Sequence, residues 1–157
     1  MEHRNIVTKI EVYSYNELTE EDKKVVDAAK KATTTSYTPY SHFNVGAAVL
    51  LDNGEIVAGS NQENAAFPSG TCAERTTVFY AHARYPEAKM LTLAIAAYAD
   101  GHFQAKPISP CGACRQAILE YENLAKQPIR IILYGEDEIY VCPDGISSLL
   151  PFCFTEF

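Results

Sequence analysis

The chain has 157 residues, 47% of them apolar, and a formal charge of −7. That length suits one domain with its own core, and the charge repels a phosphate backbone with no Lys/Arg run as a local exception. No apolar run approaches the ~18 residues of a membrane span. The opening Met1-Glu2-His3-Arg4-Asn5 lacks the basic-then-apolar pattern of a secretory signal, so the expected setting is the cytoplasm. A small, neutral partner fits better than a nucleic acid polymer or a membrane.

Residues Ile6 to Tyr13 alternate, with Lys9 and Glu11 on one side, which suggests an edge strand or an arm lying on another surface. Thr19 reads as an N-cap, and Glu20, Glu21 and Asp22 follow in the first turn, where acids suit the positive end of a helix. The stripe Val25, Val26, Ala29, Ala32 predicts a helix to about Thr33, ended by the polar run to Ser36 and by Pro39. Val45 to Leu51 and Glu55 to Ser60 flank Asp52-Asn53-Gly54, a hairpin signal. The segment Asn61-Gln62-Glu63-Asn64 is too polar for a core. Ser69-Gly70-Thr71 can cap a helix from Cys72 to about Tyr85, and Met90 to Tyr98 is a fully apolar strand candidate. Pro107 to Pro110 is a turn, and Gly112 to about Leu124 a further helix. Strands follow at Ile129–Tyr134 and Glu138–Cys142, then a helical turn over Gly145–Leu150. This alternation predicts an α/β domain with helices on both faces of one sheet. The whole of 1–157 reads as one domain, with 1–17 an N-terminal arm or edge strand and no repeat or linker.

Five cysteines is an odd number, and Cys-x-x-Cys in a chain without an export signal points to metal or redox chemistry before disulfides. Two stretches carry that chemistry: Thr71-Cys72-Ala73-Glu74-Arg75 and Ser109-Pro110-Cys111-Gly112-Ala113-Cys114-Arg115. Three thiolates, from Cys72, Cys111 and Cys114, can hold zinc tetrahedrally and leave a fourth position open for water. Both stretches fall at predicted helix N-termini, where unpaired N–H groups and the helix dipole favour thiolates. Glu74 lies one turn inward from Cys72, within reach of the open position as a proton carrier. Three thiolates blunt the Lewis acidity of zinc, and Arg75 and Arg115 can restore some of it by donating to sulfur. The competing reading is a structural zinc closed by a fourth ligand such as Cys142. Otherwise Cys142 and Cys153 read as buried small hydrophobes. His3, His42, His82 and His102 show no ligand spacing.

Zinc nucleobase deaminases carry H-x-E…P-C-x-x-C, with a three-cysteine ligand set as a variant. Cys72-Ala73-Glu74 and Pro110-Cys111-Gly112-Ala113-Cys114 fit that variant. From about Leu18 to Phe154 the chain resembles the homotetrameric zinc-dependent cytidine deaminases. Further motifs carry the likeness: Pro39-Tyr40-Ser41-His42-Phe43 before Val45-Gly46-Ala47-Ala48, Asn61-Gln62-Glu63-Asn64-Ala65, and Leu149-Leu150-Pro151 before Phe154.

The resemblance implies a three-layer α/β/α sandwich around one mixed sheet of about five strands, one zinc ion per subunit, and a homotetramer with sites shared between subunits. It implies hydrolytic deamination of cytidine and 2′-deoxycytidine to uridine or deoxyuridine and ammonia, in pyrimidine salvage. In that mechanism zinc lowers the pKa of its water, and Glu74 shuttles the proton to N3 and then to the leaving amino group. Asn61 and Glu63 are implied to bond the ribose 3′-hydroxyl, and Phe43 to pack on the pyrimidine. Backbone groups near Ala65, Cys72 and Ala73 are implied to orient the base, and Phe154 to reach a neighbouring subunit's site. The chain departs from the family at Phe67, which often is Tyr there, and at the bulky pair Phe152-Cys153. A solvated turn at Asn61–Glu63 and plain apolar packing of Phe43 and Phe154 are the bland alternatives. At the level of function they are a zinc deaminase of another cytosine-containing small molecule, and a non-catalytic zinc-stabilised binding module.

Overall fold

The computed structural model describes residues 1–155. Helix α1 (Glu20–Ala32) starts where expected, with the Thr19 hydroxyl accepting the Asp22 N–H at 3.1 Å. It ends as its polar tail competes for the backbone: the hydroxyls of Thr33, Thr34 and Thr35 each bond a carbonyl three residues back, at 2.8–2.9 Å. The chain tightens there into a 3-10 turn, Thr33–Thr35. Asp22 does more than start the helix, because it is buried and ion-paired with Arg130.

The strands are β1 (Glu11–Tyr13), β2 (Asn44–Leu51), β3 (Ile56–Ser60), β4 (Met90–Ala99), β5 (His102–Phe103), β6 (Arg130–Tyr134) and β7 (Ile139–Cys142). They form one mixed sheet in the order β1-β7-β6-β4-β2-β3, with β5 paired to β4. Among the described residues β4–β6 is the one parallel pair of neighbouring strands, and helix α3 (Gly112–Ala125) lies between them in the chain. The five expected strands are present, and two short ones extend the sheet. The arm supplies β1, which covers the edge of β7. Strand β5 folds back through Asp100-Gly101, whose φ angles of 53° and 85° suit a type I′ turn. The β2–β3 connection is the four-residue loop Asp52–Glu55, with Gly54 N–H bonding the Leu51 carbonyl at 3.0 Å.

Alternation divides the core into two. Ala47, Val49, Leu51, Leu93, Ile95, Ile131 and Leu133 face helices α2 (Ala73–Arg84) and α3. Ala48, Leu50, Ala94, Ala96 and Ile132 face α1. The three layers follow from this period-two pattern. Gly46 lets α1 lie close, since a Cβ there would run into the Ala29 carbonyl of α1. Leu93, Ile95 and Ile131 are fully buried. Each contributes about 1.5–3 kcal/mol over leaving it exposed, so β4 and β6 anchor the sheet on which α2 and α3 rest.

Candidate active site

Helices α2 and α3 share one face of the sheet, and their N-terminal ends meet. Cys72 is the N-cap of α2 and Cys111 the N-cap of α3, one residue outside each helix. Neither sulfur is spent on capping, so both remain available as ligands. Cys114 is fully buried in the first turn of α3. The Cys72 and Cys111 sulfurs lie 3.9 Å apart, those of Cys111 and Cys114 3.5 Å, and all three fall within 4.8 Å. Three sulfurs each ~2.3 Å from one zinc at tetrahedral angles would lie about 3.8 Å apart. The donor set therefore fits zinc. Cys142 lies outside the cluster, so among the described residues the structural-zinc alternative lacks its fourth cysteine.

The electrostatics of the metal-free cluster favour one thiolate. Cys72 is lowered to about 5, first by the hydrogen bond from the Cys114 thiol and also by Arg75, against an opposing cost of burial. Serving as that donor holds Cys114 well above its ordinary range. Arg75 Nη2 reaches the Cys72 sulfur at 3.7 Å. Its buried Nε has no hydrogen-bond partner among the described residues. Arg115, expected from its place after Cys114 to donate to sulfur as well, does not. Its guanidinium donates instead to the Pro110 carbonyl at 2.8 Å, the Leu149 carbonyl at 2.6 Å and Ser109 Oγ at 2.8 Å. It stitches the cysteine loop to the C-terminal segment rather than donating to sulfur.

Glu74 is 5% exposed, on the first turn of α2 beside the cluster. Burial pushes its carboxyl up, and the charge of Cys72 adds to that. A carboxyl raised in this way holds a proton more readily, which suits a general acid and base. Ala73, next to it, is fully buried in the wall of α2.

Asn61 follows β3 and is fixed by its own amide. Its Oδ1 accepts the Val45 N–H at 2.8 Å, and its Nδ2 donates to the Phe43 carbonyl at 2.9 Å. The half-buried Phe43 is thus held at the mouth of β2. Glu63 Oε2 accepts the Tyr40 N–H at 2.9 Å and the Ser41 N–H at 3.3 Å. The Ser41 side chain first, then Tyr40, hold its carboxyl below the usual range, so it stays ionised. A recess of about 220 Å³ lined by Tyr40, Glu63, Asn64, Phe67 and Gly70 adjoins this segment. Ala65 is exposed on the same loop.

Phe154 lies on the C-terminal tail, 63% exposed, with its carbonyl accepting from Gln116 Nε2 at 2.9 Å. Nothing in the residue pattern assigns Gln116 a role, although it closes the Pro-Cys-Gly-Ala-Cys-Arg-Gln run. The Tyr40 and Ser41 amides on Glu63 are equally silent in sequence, since backbone donors leave no residue-type signal.

Clustered thiols at two helix N-termini, with a buried carboxyl alongside, define a zinc-dependent hydrolytic enzyme on an α/β/α scaffold. Residues 19–127 match the model of the cytidine and deoxycytidylate deaminase zinc-binding region. The chain is 38% identical over 131 residues to the cytidine deaminase of Halalkalibacterium halodurans, covering 83% of this chain and 92% of that one. It is 40% identical over 129 residues to the cytidine deaminase of Mycobacterium tuberculosis, covering 80% and 84% respectively. The crystal structure of the Burkholderia pseudomallei cytidine deaminase matches it with a TM-score of 0.70 at 33% identity, across 87% of this chain and 100% of that one. The chain belongs to the cytidine and deoxycytidylate deaminase family. No helix among the described residues is long and apolar enough to cross a membrane.

Proposed function

We propose that this protein hydrolytically deaminates cytidine, and 2′-deoxycytidine as well, to the uracil nucleoside and ammonia. The observation that carries the reading is Glu74, a buried carboxyl with a raised pKa beside three thiols spaced for one zinc ion. Cys72, Cys111 and Cys114 would hold the zinc ion, which when bound would supply the Lewis acidity that makes water nucleophilic near neutral pH. Glu74 takes a proton from the attacking water and delivers it to cytosine N3. It then carries a proton to the departing amino group at C4, so that water is consumed and ammonia leaves. Arg75 tempers the charge of the thiolates through Cys72.

Asn61 and Glu63 bind the ribose 3′-hydroxyl, Phe43 packs on the pyrimidine, and backbone groups at Ala65 and Ala73 orient the base. Because the sugar contacts address the 3′ position, both sugars are accepted. Phe67 and Phe154 are 81% and 63% exposed on a single chain, which supports a homotetramer in which they meet neighbouring sites. Light scattering of the zinc-loaded protein tests that assembly.

The decisive experiment is ammonia release from cytidine by zinc-loaded protein, beside Glu74→Gln at matched zinc content. Turnover is expected to fall by about 10²–10⁴-fold in the variant, the usual weight of general acid–base catalysis. Equal turnover in both would remove Glu74 from the chemistry. No turnover in either would end the cytidine reading.

A further inference from the structure

The C-terminal tail, Pro151–Thr155, has no helix or strand of its own. It turns through Phe152, which at φ 56° sits in the left-handed region that favours glycine. Such a turn persists only where its surroundings hold it. Phe152 is 94% exposed, so its own side chain supplies no anchor. The anchors of this C-terminal stretch come largely from helix α3. Glu122 Oε1 accepts the Ile146 N–H at 2.7 Å, and Arg115 Nη1 donates to the Leu149 carbonyl at 2.6 Å. Beyond the turn, Gln116 Nε2 donates to the Phe154 carbonyl at 2.9 Å. Gln116 stands two residues after Cys114, so the helix that carries two of the clustered cysteines also grips the tail.

We propose that Gln116 is a positioning residue, whose amide N–H sets where Phe154 presents its ring and acts on nucleoside affinity only through that ring. This rests on the reading of Phe154 as a nucleoside-binding residue. An uncharged donor suits the position, since it bonds the tail without adding charge two residues from a thiolate ligand. Loss of one such bond to a partly exposed carbonyl corresponds to roughly a twofold to thirteenfold change in affinity.

The test is a double-mutant cycle on the zinc-loaded protein. Gln116→Glu has the same shape, but its carboxylate cannot donate and repels the Phe154 carbonyl. Gln116→Met removes the donor without charge, and Gln116→Lys keeps one. KM for cytidine should rise about twofold to thirteenfold in the first two, with kcat and zinc content within about twofold in the uncharged Gln116→Met, and should largely recover in Gln116→Lys. In a Phe154→Ala background, Gln116→Met should change KM by less than about twofold, because contacting residues couple. The same loss in that background, or an unchanged KM in both donor-free variants, would overturn the proposal. Amide hydrogen exchange over Phe152–Thr155 gives a readout independent of turnover. Faster exchange in Gln116→Met supports the tether even if cytidine proves not to be the substrate, and unchanged exchange removes it.

Discussion

Gln62 and Thr71 exchange both of their backbone hydrogen bonds, each at 2.9 Å. Asn61 and Glu63 flank the first residue, and Cys72 follows the second. This single antiparallel pair therefore sets the spacing between the proposed sugar-binding segment and the cysteine cluster. Tyr37 secures the other side, donating its N–H to the Asn61 carbonyl at 3.0 Å and accepting from Glu63 N–H at 2.8 Å. Extended backbone sends Asn61 and Glu63 to one side and Gln62 to the other, where its amide bonds the Thr35 carbonyl and Ser60 Oγ.

Asn61→Asp should separate a structural anchor from a solvated turn. The carboxylate keeps an acceptor for Val45 N–H but loses the donor to the Phe43 carbonyl and repels it. A loss of about 1–3 kcal/mol is expected, lowering the melting temperature by a few degrees to about 10 °C. KM for cytidine should rise together with it, since Phe43 is released. If thermal melting and KM both stay at wild-type values, the side chain anchors nothing.

What could be read from the sequence was what depends on local spacing. Thr19, the acidic first turn and the Cys111–Cys114 pair each announce themselves within a few residues, because a cap and a metal-ligand pair are short-range objects, whereas Cys72 stands 39 residues before Cys111. The partners of Arg115 were hidden, since Leu149 is 34 residues away and only the fold brings its carbonyl to the guanidinium. Strand β5 was hidden for another reason: His102 and Phe103 are too few to show alternation, and only Asp100-Gly101 marks the turn. The Gln62–Thr71 pair carries no apolar pattern at all. Its residues are polar, and it is made by backbone groups that every sequence possesses.

Glu122 offers a pH-dependent stability. It is buried, and its Oε1 accepts the N–H of Ile129 at 2.9 Å as well as that of Ile146. Burial pushes its carboxyl above the usual range and outweighs these backbone donors. The protonated form is thus the one the fold prefers. Its contribution is full below the ordinary carboxylate pKa and is lost as pH rises through the raised folded value. Glu122→Gln keeps an acceptor without a titrating charge. Melting curves from about pH 4 to pH 8 should show a wild-type decline that the variant lacks, on the order of a few degrees. Parallel curves for the two proteins would show that Glu122 stays ionised at no cost.

In the chelated protein Cys72 should behave as a thiolate well below neutral pH. Its pKa is lowered to about 5, first by the Cys114 thiol and then by Arg75, whereas burial pushes Cys142 up. Iodoacetamide at about pH 6 should therefore label Cys72 ahead of Cys142, because the thiolate is the nucleophile. Arg75→Gln removes a donor to the Cys72 sulfur, so the midpoint of labelling against pH should move upward. Added zinc should protect Cys72 in both proteins, since coordination draws electron density from the sulfur and slows its attack. Peptide mapping by mass spectrometry reads all three effects in one experiment. An unmoved midpoint in Arg75→Gln would assign the low pKa to the neighbouring thiols of Cys114 and Cys111, and the guanidinium would then tune nothing at the cluster.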